Sequence, residues 1–407
     1  MNAEILAVGT ELLLGDIVNT NAQFIAQGLA ELGISVFYHT VVGDNPKRMK
    51  EAMHLAFERA DVIITTGGLG PTGDDLTKEI GAEYFDKKMY LDDRALNRIK
   101  KFFSKLGRDM TENNIKQAMI PEGAIIMYND NGTAPGIIIE ENGKILIMMP
   151  GPPREMKPMF TEQVKPFLAS RQEYTLVSRT LRIAGIGESA METSVKDIID
   201  RQTNPTVAPY VKDIEAVLRI TAKGENTEEA EKLIAPVADE IYSRFGNNVY
   251  AEGETSMQSA VAEMLVKSGQ TIAVAESCTG GLVAAKLIEY AGVSSVLIEG
   301  AVTYSNDAKM RRLGVKKETL DKYTAVSAET AGEMAEGIAK TSGADIGLST
   351  TGVAGPGPSE GKPEGLVYIG IYINGETFIK ELNLAGKRNV IRERAAYSAL
   401  DFLRRKL

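Results

Sequence analysis

Two nucleophilic side chains, Ser277 and Cys278, lie in the sequence AESCTGG (275–281), between an apolar strand and a predicted helix. A nucleophile at such a turn is exposed, and the N–H groups that begin the helix can stabilise an oxyanion. A thiol is intrinsically the better nucleophile, so both residues are candidates. Histidine cannot activate either one, because the two histidines of the chain, His39 and His54, both lie in its first 54 residues. The activator must therefore be a lysine, a tyrosine or a carboxylate.

A candidate activator lies in the sequence YSNDAK (304–309), after the next predicted strand. An ammonium group such as that of Lys309 favours the phenolate form of a neighbouring tyrosine, and a phenolate can take up a proton. Taken singly, a tyrosine at a strand end is usually a core or rim residue, and a helix lysine is usually solvated. Together with the turn at residue 277, Tyr304 and Lys309 form a candidate Ser–Tyr–Lys set.

A second glycine-rich loop, STTGVAGPGP (349–358), follows another apolar strand. Its hydroxyls and N–H groups could bind a phosphate or complete an oxyanion site, and a flexible linker is the alternative. Arg392 lies on the predicted terminal helix, where its guanidinium could bind a phosphate through two hydrogen bonds or simply face solvent. The predicted substrate-binding residues of this part of the chain are Cys278, Thr279, Gly280, Gly281, Gly352, Gly355 and Arg392.

The first half of the chain carries its own glycine-rich loop, TTGGLGPTGDDLT (65–77), directly after a short apolar strand. Glycines let the backbone approach a phosphate closely, and successive N–H groups form an anion-binding nest. The adjacent carboxylates of Asp74 and Asp75 suit a divalent cation that screens the phosphates. A simple turn with an aspartate at a helix N-terminus is the alternative, but the density of Gly, Thr and Asp after a strand favours a site.

The elements that position these motifs alternate between strands and helices over the first 170 residues. Such alternation predicts parallel pairing and a doubly wound sheet, with ligands bound outside the carboxyl ends of the strands. The loops after Val8, Val42 and Thr66 should therefore converge on one side. Asp44 then lies on the same side as the glycine-rich loop, although it could equally cap the helix that starts at Pro46.

The pattern predicts an α/β protein of three domains. Residues 1–172 are expected to form the doubly wound domain, residues 173–252 a small α+β connecting domain, and residues 253–407 a second α/β domain. A polar segment at 251–255 is interpreted as the linker between the last two domains.

Composition and charge exclude several classes of protein. The 407 residues include 46 basic and 55 acidic side chains, for a formal charge of −9. This balance, without a basic stripe, predicts no direct binding to nucleic acid or to an anionic membrane. No apolar stretch is long enough to span a bilayer, and a single cysteine excludes an internal disulfide. Because no basic residue precedes Lys47, a secretory signal is not expected, and we predict a cytoplasmic protein.

The N-terminal motifs resemble a known fold and, more specifically, a known family. The order of the pieces resembles the molybdopterin-binding fold of molybdopterin adenylyltransferases. The fuller set of GTELLLGD (9–16), GGLGPT (67–72) and PGPPREM (150–156) resembles the competence/damage-inducible protein A (CinA) family. That resemblance implies metal-dependent hydrolysis of ADP-ribose to AMP and ribose 5-phosphate. It also implies that Asp75, with Asp44, serves a divalent metal, and that phosphate is held by Gly67, Gly68, Gly70 and Thr72.

The three C-terminal motifs, in their order, resemble the nicotinamide-nucleotide amidohydrolase domain of CinA proteins over residues 256–407. The resemblance implies conversion of nicotinamide mononucleotide and water into nicotinate mononucleotide and ammonia, with no cofactor. It implies that Ser277 is the nucleophile, that Tyr304 and Lys309 lie nearby, and that Thr351 and Arg392 assist. A homodimer is expected from the same resemblance. Two other functions stay open: a molybdopterin- or nucleotide-binding enzyme without deamidase activity, and a non-catalytic partner protein in competence or DNA repair.

Overall fold

The computed structural model describes residues 1–172, 174–212 and 214–407. The chain divides into two units, residues 1–177 with 222–232 and residues 178–221 with 233–407. The expected boundary between the first two domains falls on Glu173, which lies outside the described residues.

The first α/β domain contains eight strands among its described residues. They are β1 (Asn2–Val8), β2 (Ser35–Val42), β3 (Val62–Thr66), β4 (Met89–Leu91), β5 (Met119–Pro121), β6 (Ile125–Met127), β7 (Gly136–Glu141) and β8 (Lys144–Met149). The helices are α1 (Thr10–Leu14), α2 (Thr20–Glu31), α3 (Pro46–Arg59), α4 (Thr77–Tyr84), α5 (Asp93–Lys105), α6 (Pro153–Met159) and α7 (Lys165–Ala169), with a π-helical turn between α6 and α7 and a 3₁₀ helix at Glu112–Ala118. Six strands form one sheet in the order β2-β1-β3-β8-β7-β6, and β4 pairs with β5.

The central strands of this sheet are buried on both faces. β3 is buried along its whole length, and β1 and β8 are buried except at their first residues. Apolar residues of the sheet enter separate clusters on its two faces, one with α2 and α6 and the other with α3 and α4. Helices on both faces are what a doubly wound sheet requires.

The expected parallel pairing holds for only part of the sheet. β2, β1, β3 and β8 pair in parallel, but β7 and β6 continue the sheet in the antiparallel sense. The reason is the connection between β7 and β8, which consists of Asn142 and Gly143, both at positive φ. An Asn-Gly turn of this kind closes a hairpin, whereas parallel neighbours need a longer crossover.

The middle of the chain folds as a four-stranded sheet with two helices. The strands are β9 (Thr175–Ile183), β10 (Thr206–Lys212), β11 (Glu215–Gly224) and β12 (Val249–Glu252), in the order β10-β11-β9-β12, and the helices are α8 (Glu188–Arg201) and α9 (Thr227–Phe245). The linker interpretation of 251–255 was wrong for its first two residues. Ala251 and Glu252 belong to β12 because their backbone pairs with β9.

The last α/β domain contains a five-stranded sheet. Its strands are β13 (Ile272–Glu276), β14 (Leu297–Val302), β15 (Ile346–Gly352), β16 (Leu366–Ile373) and β17 (Glu376–Asn383), in the order β14-β13-β15-β16-β17. Its helices are α10 (Met257–Ser268), α11 (Leu282–Ile288), α12 (Asn306–Leu313), α13 (Lys317–Tyr323), α14 (Ala328–Ser342) and α15 (Arg388–Arg404). α10, α11 and α15 cover one face, and α12, α13 and α14 cover the other. Because β14, β13 and β15 are parallel, their carboxyl ends meet at one edge.

Two surface properties bear on the expected partners. Among the described residues, no helix combines the length and the apolar composition needed to cross a bilayer. The expectation that the chain lacks a basic stripe needs correction, because residues 87–108 hold eight basic and two acidic side chains. Lys100, Lys101, Lys105 and Arg108 are exposed there, on and just after α5. The absence of nucleic-acid binding therefore remains a prediction.

Candidate active sites

A cavity of about 630 Å³ lies at the carboxyl ends of the parallel strands β13, β14 and β15. Of the residues singled out from sequence, Ser277, Cys278, Tyr304, Lys309, Thr351, Gly352 and Gly355 line it. Three charged side chains that sequence reasoning passed over, Asp307, Glu360 and Arg388, also line it. The topology thus brings the three C-terminal motifs together in one place.

Ser277 stands directly after β13 in a turn that is tied down on several sides. Its N–H donates to the carbonyl of Thr350 at 2.9 Å, and its carbonyl accepts from Gly280 N–H at 3.2 Å. The buried carboxylate of Glu276 accepts the N–H groups of Val283 and Ala284 at 3.1 and 2.9 Å, which fixes the start of α11. The turn therefore holds the Ser277 hydroxyl at the cavity wall.

Lys309 is the group that contacts this hydroxyl. It lies on α12, is only 1% exposed, and its Nζ is 3.2 Å from Ser277 Oγ. The other two partners of Nζ are the carbonyls of Thr303 at 3.0 Å and Tyr304 at 3.3 Å. Burial lowers the pKa of Lys309 from that of an exposed lysine, and the charge of Glu360 partly opposes this effect.

The expected Ser–Tyr–Lys arrangement is replaced by a direct Ser–Lys contact. Tyr304 is 64% exposed, and its hydroxyl accepts a hydrogen bond from Arg388 at 3.3 Å. Among the described residues, that hydroxyl contacts neither Ser277 nor Lys309 through a hydrogen bond; only its backbone carbonyl reaches Lys309.

Cys278 is poorly suited to be the nucleophile. Its side chain lies in an apolar cluster with Val367 and Ile391 and is 6% exposed. Burial raises the pKa of its thiol to about 12, so the thiolate is scarce near neutral pH. The choice between the two nucleophiles that sequence left open therefore falls to Ser277.

The threonines expected at the substrate are engaged with the protein. Thr351 Oγ1 donates to the carbonyl of Ala325 at 2.6 Å, and the hydroxyls of Thr279 and Thr350 contact each other at 2.6 Å. Their role in this geometry is to hold the loops. Gly352 permits close packing, because a Cβ there would lie 2.7 Å from the carbonyl oxygen of Leu366.

The two arginines of the terminal helix have different positions. Arg392 donates to the carbonyl of Thr279 at 2.8 Å and does not line the cavity. Its guanidinium holds the nucleophile turn, and substrate binding by Arg392 stays a prediction. Arg388, one helical turn earlier, lines the cavity and also donates to the carbonyl of Gly355. Both lie on the same face of α15, one turn apart, and their different positions along the helix axis distinguish them.

In the first domain, the glycine-rich loop between β3 and α4 has an unusual backbone. Gly67 and Gly68 lie at φ values of +99° and +67°, where side chains are strained. A Cβ on Gly67 would lie 2.2 Å from the carbonyl oxygen of Val8, so only glycine fits. Within the described part of the chain, the N–H groups of Gly68, Leu69 and Gly70 have no acceptor. These three consecutive donors are the candidates for the predicted nest, which stays a prediction.

The carboxylates expected to serve a metal have hydrogen-bonding partners. The hydroxyl of Thr72 shares its one hydrogen between the carboxylates of Asp74 and Asp75, and its N–H donates to Asp75 at 3.0 Å. The Thr72 hydrogen bond, with the charge of Lys116, lowers the pKa of Asp74. One oxygen of Asp44 accepts from the N–H and hydroxyl of Thr10 at 3.0 and 2.9 Å.

The structure does not bring these carboxylates into a metal cage. Over the described ranges, three or more His, Cys, Asp or Glu side chains nowhere gather in a group suited to a metal ion. Mg²⁺, however, is commonly held by one or two carboxylates together with the phosphates of its substrate. The adjacent carboxylates of Asp74 and Asp75 fit that requirement, with the nest alongside them.

Three family models match consecutive parts of the chain: a probable molybdopterin binding domain over residues 4–170, a damage-inducible protein CinA KH domain over 178–251, and a CinA C-terminal domain over 254–407. A putative competence-damage inducible protein of Clostridium novyi is 59% identical over 408 residues, covering 100% of this chain and 99% of its own length. The chain belongs to the CinA family.

A second relative also matches the whole chain, and a solved structure matches part of it. A CinA-like protein of Dictyoglomus thermophilum is 56% identical over 408 residues, with 100% of this chain and 99% of that protein covered. Among solved structures, the protein CinA with unknown function from Thermoplasma acidophilum is 39% identical over 40% of this chain and 96% of its own, with a TM-score of 0.38. The Ser277 cavity lies within the CinA C-terminal match, and the nest lies within the molybdopterin-binding match.

Proposed function

We propose that the C-terminal domain deamidates nicotinamide mononucleotide, with Ser277 as nucleophile and Lys309 as general base. The observation that carries this proposal is the buried contact between Lys309 Nζ and Ser277 Oγ at 3.2 Å, on the wall of a cavity. A general base must lie within hydrogen-bond reach of the proton that it takes, and this contact satisfies that condition.

The surroundings of Lys309 fit a neutral amine. A neutral amine has two N–H groups and one lone pair. The carbonyls of Thr303 and Tyr304 can only accept hydrogen bonds, so they take the two N–H groups. Ser277 Oγ accepts from Nζ when Lys309 is an ammonium. In the neutral amine the lone pair is left for the hydroxyl proton of Ser277. Burial of Lys309 favours the same neutral form.

The reaction proceeds by acyl transfer. Ser277 Oγ attacks the carboxamide carbon while its proton passes to Lys309, and the N–H groups of Cys278 and Thr279 stabilise the oxyanion. Among the described residues neither of these two groups donates to a backbone carbonyl, whereas Gly280 N–H is bonded to the Ser277 carbonyl. The C–N bond breaks, and ammonia leaves with the proton from Lys309. Water then cleaves the ester through Lys309, which releases nicotinate mononucleotide and restores Ser277.

The charged groups of the cavity suit the two ends of this substrate. Arg388 lines the cavity at the start of α15, where a guanidinium and a helix N-terminus both favour a phosphate. Asp307 and Glu360 contribute negative charge to the same cavity, and the nicotinamide ring of the substrate is a pyridinium cation. We therefore assign phosphate binding to Arg388 in place of Arg392.

The direct test is ammonia release from nicotinamide mononucleotide by the full chain. Ser277→Ala should abolish release, and Cys278→Ala, the neighbouring matched control, should keep most of it. A chelator should have no effect on this reaction. Full activity in Ser277→Ala would refute the assignment of the nucleophile, and no release from folded wild type would refute the proposed reaction.

For the N-terminal domain we propose hydrolysis of the pyrophosphate bond of ADP-ribose, which gives AMP and ribose 5-phosphate. The support is the row of three free N–H groups at Gly68, Leu69 and Gly70 beside Asp74 and Asp75. A divalent cation held by Asp75, with Asp44 as the second expected ligand, would neutralise charge on the pyrophosphate.

AMP release from ADP-ribose, with and without chelator, tests this second activity. Asp75→Asn should remove it and leave deamidation intact. The competing function is binding of a molybdopterin, since the matching family model is described in those terms. Tight binding of a pterin without hydrolysis of ADP-ribose would favour that function. A cytoplasmic location, a homodimer and the absence of nucleic-acid binding remain predictions.

A further inference from the structure

The glycine-rich loop at residues 65–77 that carries the candidate nest is called the nest loop here. Several of its carbonyl groups are bonded to donors of the protein itself. Thr77 supplies two of these donors, its hydroxyl to the carbonyl of Gly67 at 2.9 Å and its N–H to that of Gly68 at 3.1 Å. The next three bonded carbonyls belong to Leu69, Thr72 and Asp75, and side chains from outside the loop reach all three. The carbonyls of Gly67, Gly68, Leu69, Thr72 and Asp75 are therefore bonded, while the N–H groups of residues 68–70 have no acceptor in the described part of the chain.

Two neighbouring residues of the 3₁₀ helix at Glu112–Ala118 supply those side chains. Lys116 Nζ donates to the carbonyl of Thr72 at 2.9 Å and to that of Asp75, and it lies 3.7 Å from a carboxylate oxygen of Glu79. Gln117 Nε2 donates to the carbonyl of Leu69 at 3.3 Å. The ammonium of Lys116 is thus committed to the protein backbone and to Glu79.

A third residue holds the main chain that carries these two. Lys78, in the first turn of α4, is 2% exposed. Its Nζ donates to the carbonyls of Lys116 at 3.0 Å, Gln117 at 2.9 Å and Met119 at 2.9 Å. Three acceptors match the three hydrogens of an ammonium group. Lys78 therefore fixes residues 116–119 to the helix that follows the nest loop.

We propose that Lys116 and Gln117, held by Lys78, are positioning residues that orient the nest loop for the pyrophosphate of its substrate. A peptide group whose carbonyl is bonded on one side presents its N–H on the other, since the two groups point in opposite directions across the planar peptide. The bond from Gln117 to the Leu69 carbonyl thereby orients the N–H of Gly70, the last of the three free donors. The bonds from Lys116 to the carbonyls of Thr72 and Asp75 hold the turn that follows, which carries the carboxylates of Asp74 and Asp75. This inference rests on the proposed function of the N-terminal domain.

The experiment measures the affinity of the full chain for inorganic pyrophosphate and for ADP-ribose by calorimetry. Lys116→Met should weaken binding about tenfold to a hundredfold, the range expected from losing one or two hydrogen bonds to a charged donor. Lys116→Arg keeps a charged donor and should restore most of the affinity. Gln117→Leu should produce a smaller loss.

Lys78→Met separates positioning from direct contact. Because Lys78 is buried, it cannot touch a ligand, yet its loss should weaken pyrophosphate binding by a similar factor. Deamidation of nicotinamide mononucleotide serves as the control for an intact chain and should not change. If Lys78→Met fails to fold, the pair Lys116→Met and Lys116→Arg still decides the matter.

The outcomes separate this inference from the proposed function. If wild type binds pyrophosphate but does not hydrolyse ADP-ribose, the proposed hydrolysis fails, and the variants still test the positioning role through binding. Unchanged affinity in Lys116→Met and Gln117→Leu would overturn the positioning role while leaving hydrolysis in place. Failure of wild type to bind either probe would overturn both.

Discussion

Two buried lysines, one in each α/β domain, differ in a single partner. Lys78 and Lys309 are 2% and 1% exposed, and each Nζ lies against three oxygen atoms. For Lys78 all three are backbone carbonyls, whereas for Lys309 one is the hydroxyl of Ser277. Three carbonyls can only accept, so they hold an ammonium. A hydroxyl can also donate, so it permits a neutral amine.

Burial acts on both lysines in the same direction. It lowers the pKa of Lys78 to about 8, and it lowers the pKa of Lys309 as well. What the comparison teaches is that a lowered pKa does not by itself identify a base. The third partner decides whether the amine can take a proton from a neighbour or only stabilise a loop.

The largest effect should follow from replacing Lys309. Lys309→Met should lower kcat for deamidation by roughly 10²- to 10⁴-fold, the usual contribution of a general base. Lys309→Arg should fail to restore it, because a guanidinium keeps its proton and cannot act as base. Ammonia release measures both variants. A Lys309→Arg enzyme with wild-type kcat would show that the lysine serves only as a cation.

Replacing Lys78 should affect stability instead of deamidation. Lys78→Met removes a charged donor from the carbonyls of Lys116, Gln117 and Met119 and should lower the unfolding free energy by roughly 2–4 kcal/mol. Urea unfolding, followed separately for the two α/β domains, measures this change. If the N-terminal domain of Lys78→Met is as stable as wild type, the carbonyl cage contributes nothing and the contrast with Lys309 loses its basis.

A change of pH should affect stability through Lys78 and the rate of deamidation through Lys309. Because folding lowers the pKa of Lys78, the unfolded chain holds its proton to higher pH than the folded chain does. The unfolding free energy of wild type should therefore rise as pH increases from about 8 toward the ordinary lysine pKa of ~10.4. Lys78→Met, whose unfolding free energy is measured over the same pH range, should lack this rise.

For Lys309 the controlled quantity is a rate. The neutral amine is the active form, so kcat/KM for deamidation should increase with pH and level off above the lowered pKa of Lys309. A pH–rate profile on the full chain tests this. A rate that falls across the same interval would indicate that the protonated lysine is the active form.

The smallest effect is expected from Glu360. Its carboxylate lines the cavity and favours the protonated form of Lys309, but it is exposed and therefore screened by solvent. Glu360→Gln should shift the acid limb of the deamidation profile slightly to lower pH, and added salt should reduce the difference. A shift to higher pH would contradict the assigned direction of the charge effect.

Much of the fold could be predicted from the sequence, and the exceptions have local causes. Runs such as 62–66 identify buried strands because apolar residues fill them, and Pro46 and Thr227 mark helix starts. The parallel pairing expected for the first domain is wrong for β7 and β6, although the Asn-Gly pair at 142–143 signals the hairpin between β7 and β8. An Asn-Gly pair at 374–375 likewise signals the hairpin between β16 and β17. Those pairs were readable in the sequence.

In the candidate sites, too, local features could be predicted from the sequence and contacts between distant residues could not. The motif around Ser277 is local, so its turn could be predicted from contiguous residues. The exposure of Tyr304 and the commitment of Arg392 to a carbonyl depend on contacts across the fold, which spacing alone does not reveal. Lys78, Lys116 and Gln117 gave no signal, because a buried lysine bound to carbonyls looks in sequence like any helix or loop lysine.

The spacing of Arg388 and Arg392 gives helix α15 a strict phase. Four residues make just over one helical turn, so the two arginines share a face and lie about 6 Å apart along the axis. From there one guanidinium reaches the cavity, and the other holds the carbonyl of Thr279 beside the nucleophile. Inserting one alanine between them would rotate one arginine by about 100° relative to the other. Lengthening the connection before residue 388 leaves that phase intact. An insertion before α15 should therefore be tolerated. An insertion within the first turn of α15 should abolish the deamidation activity of the domain.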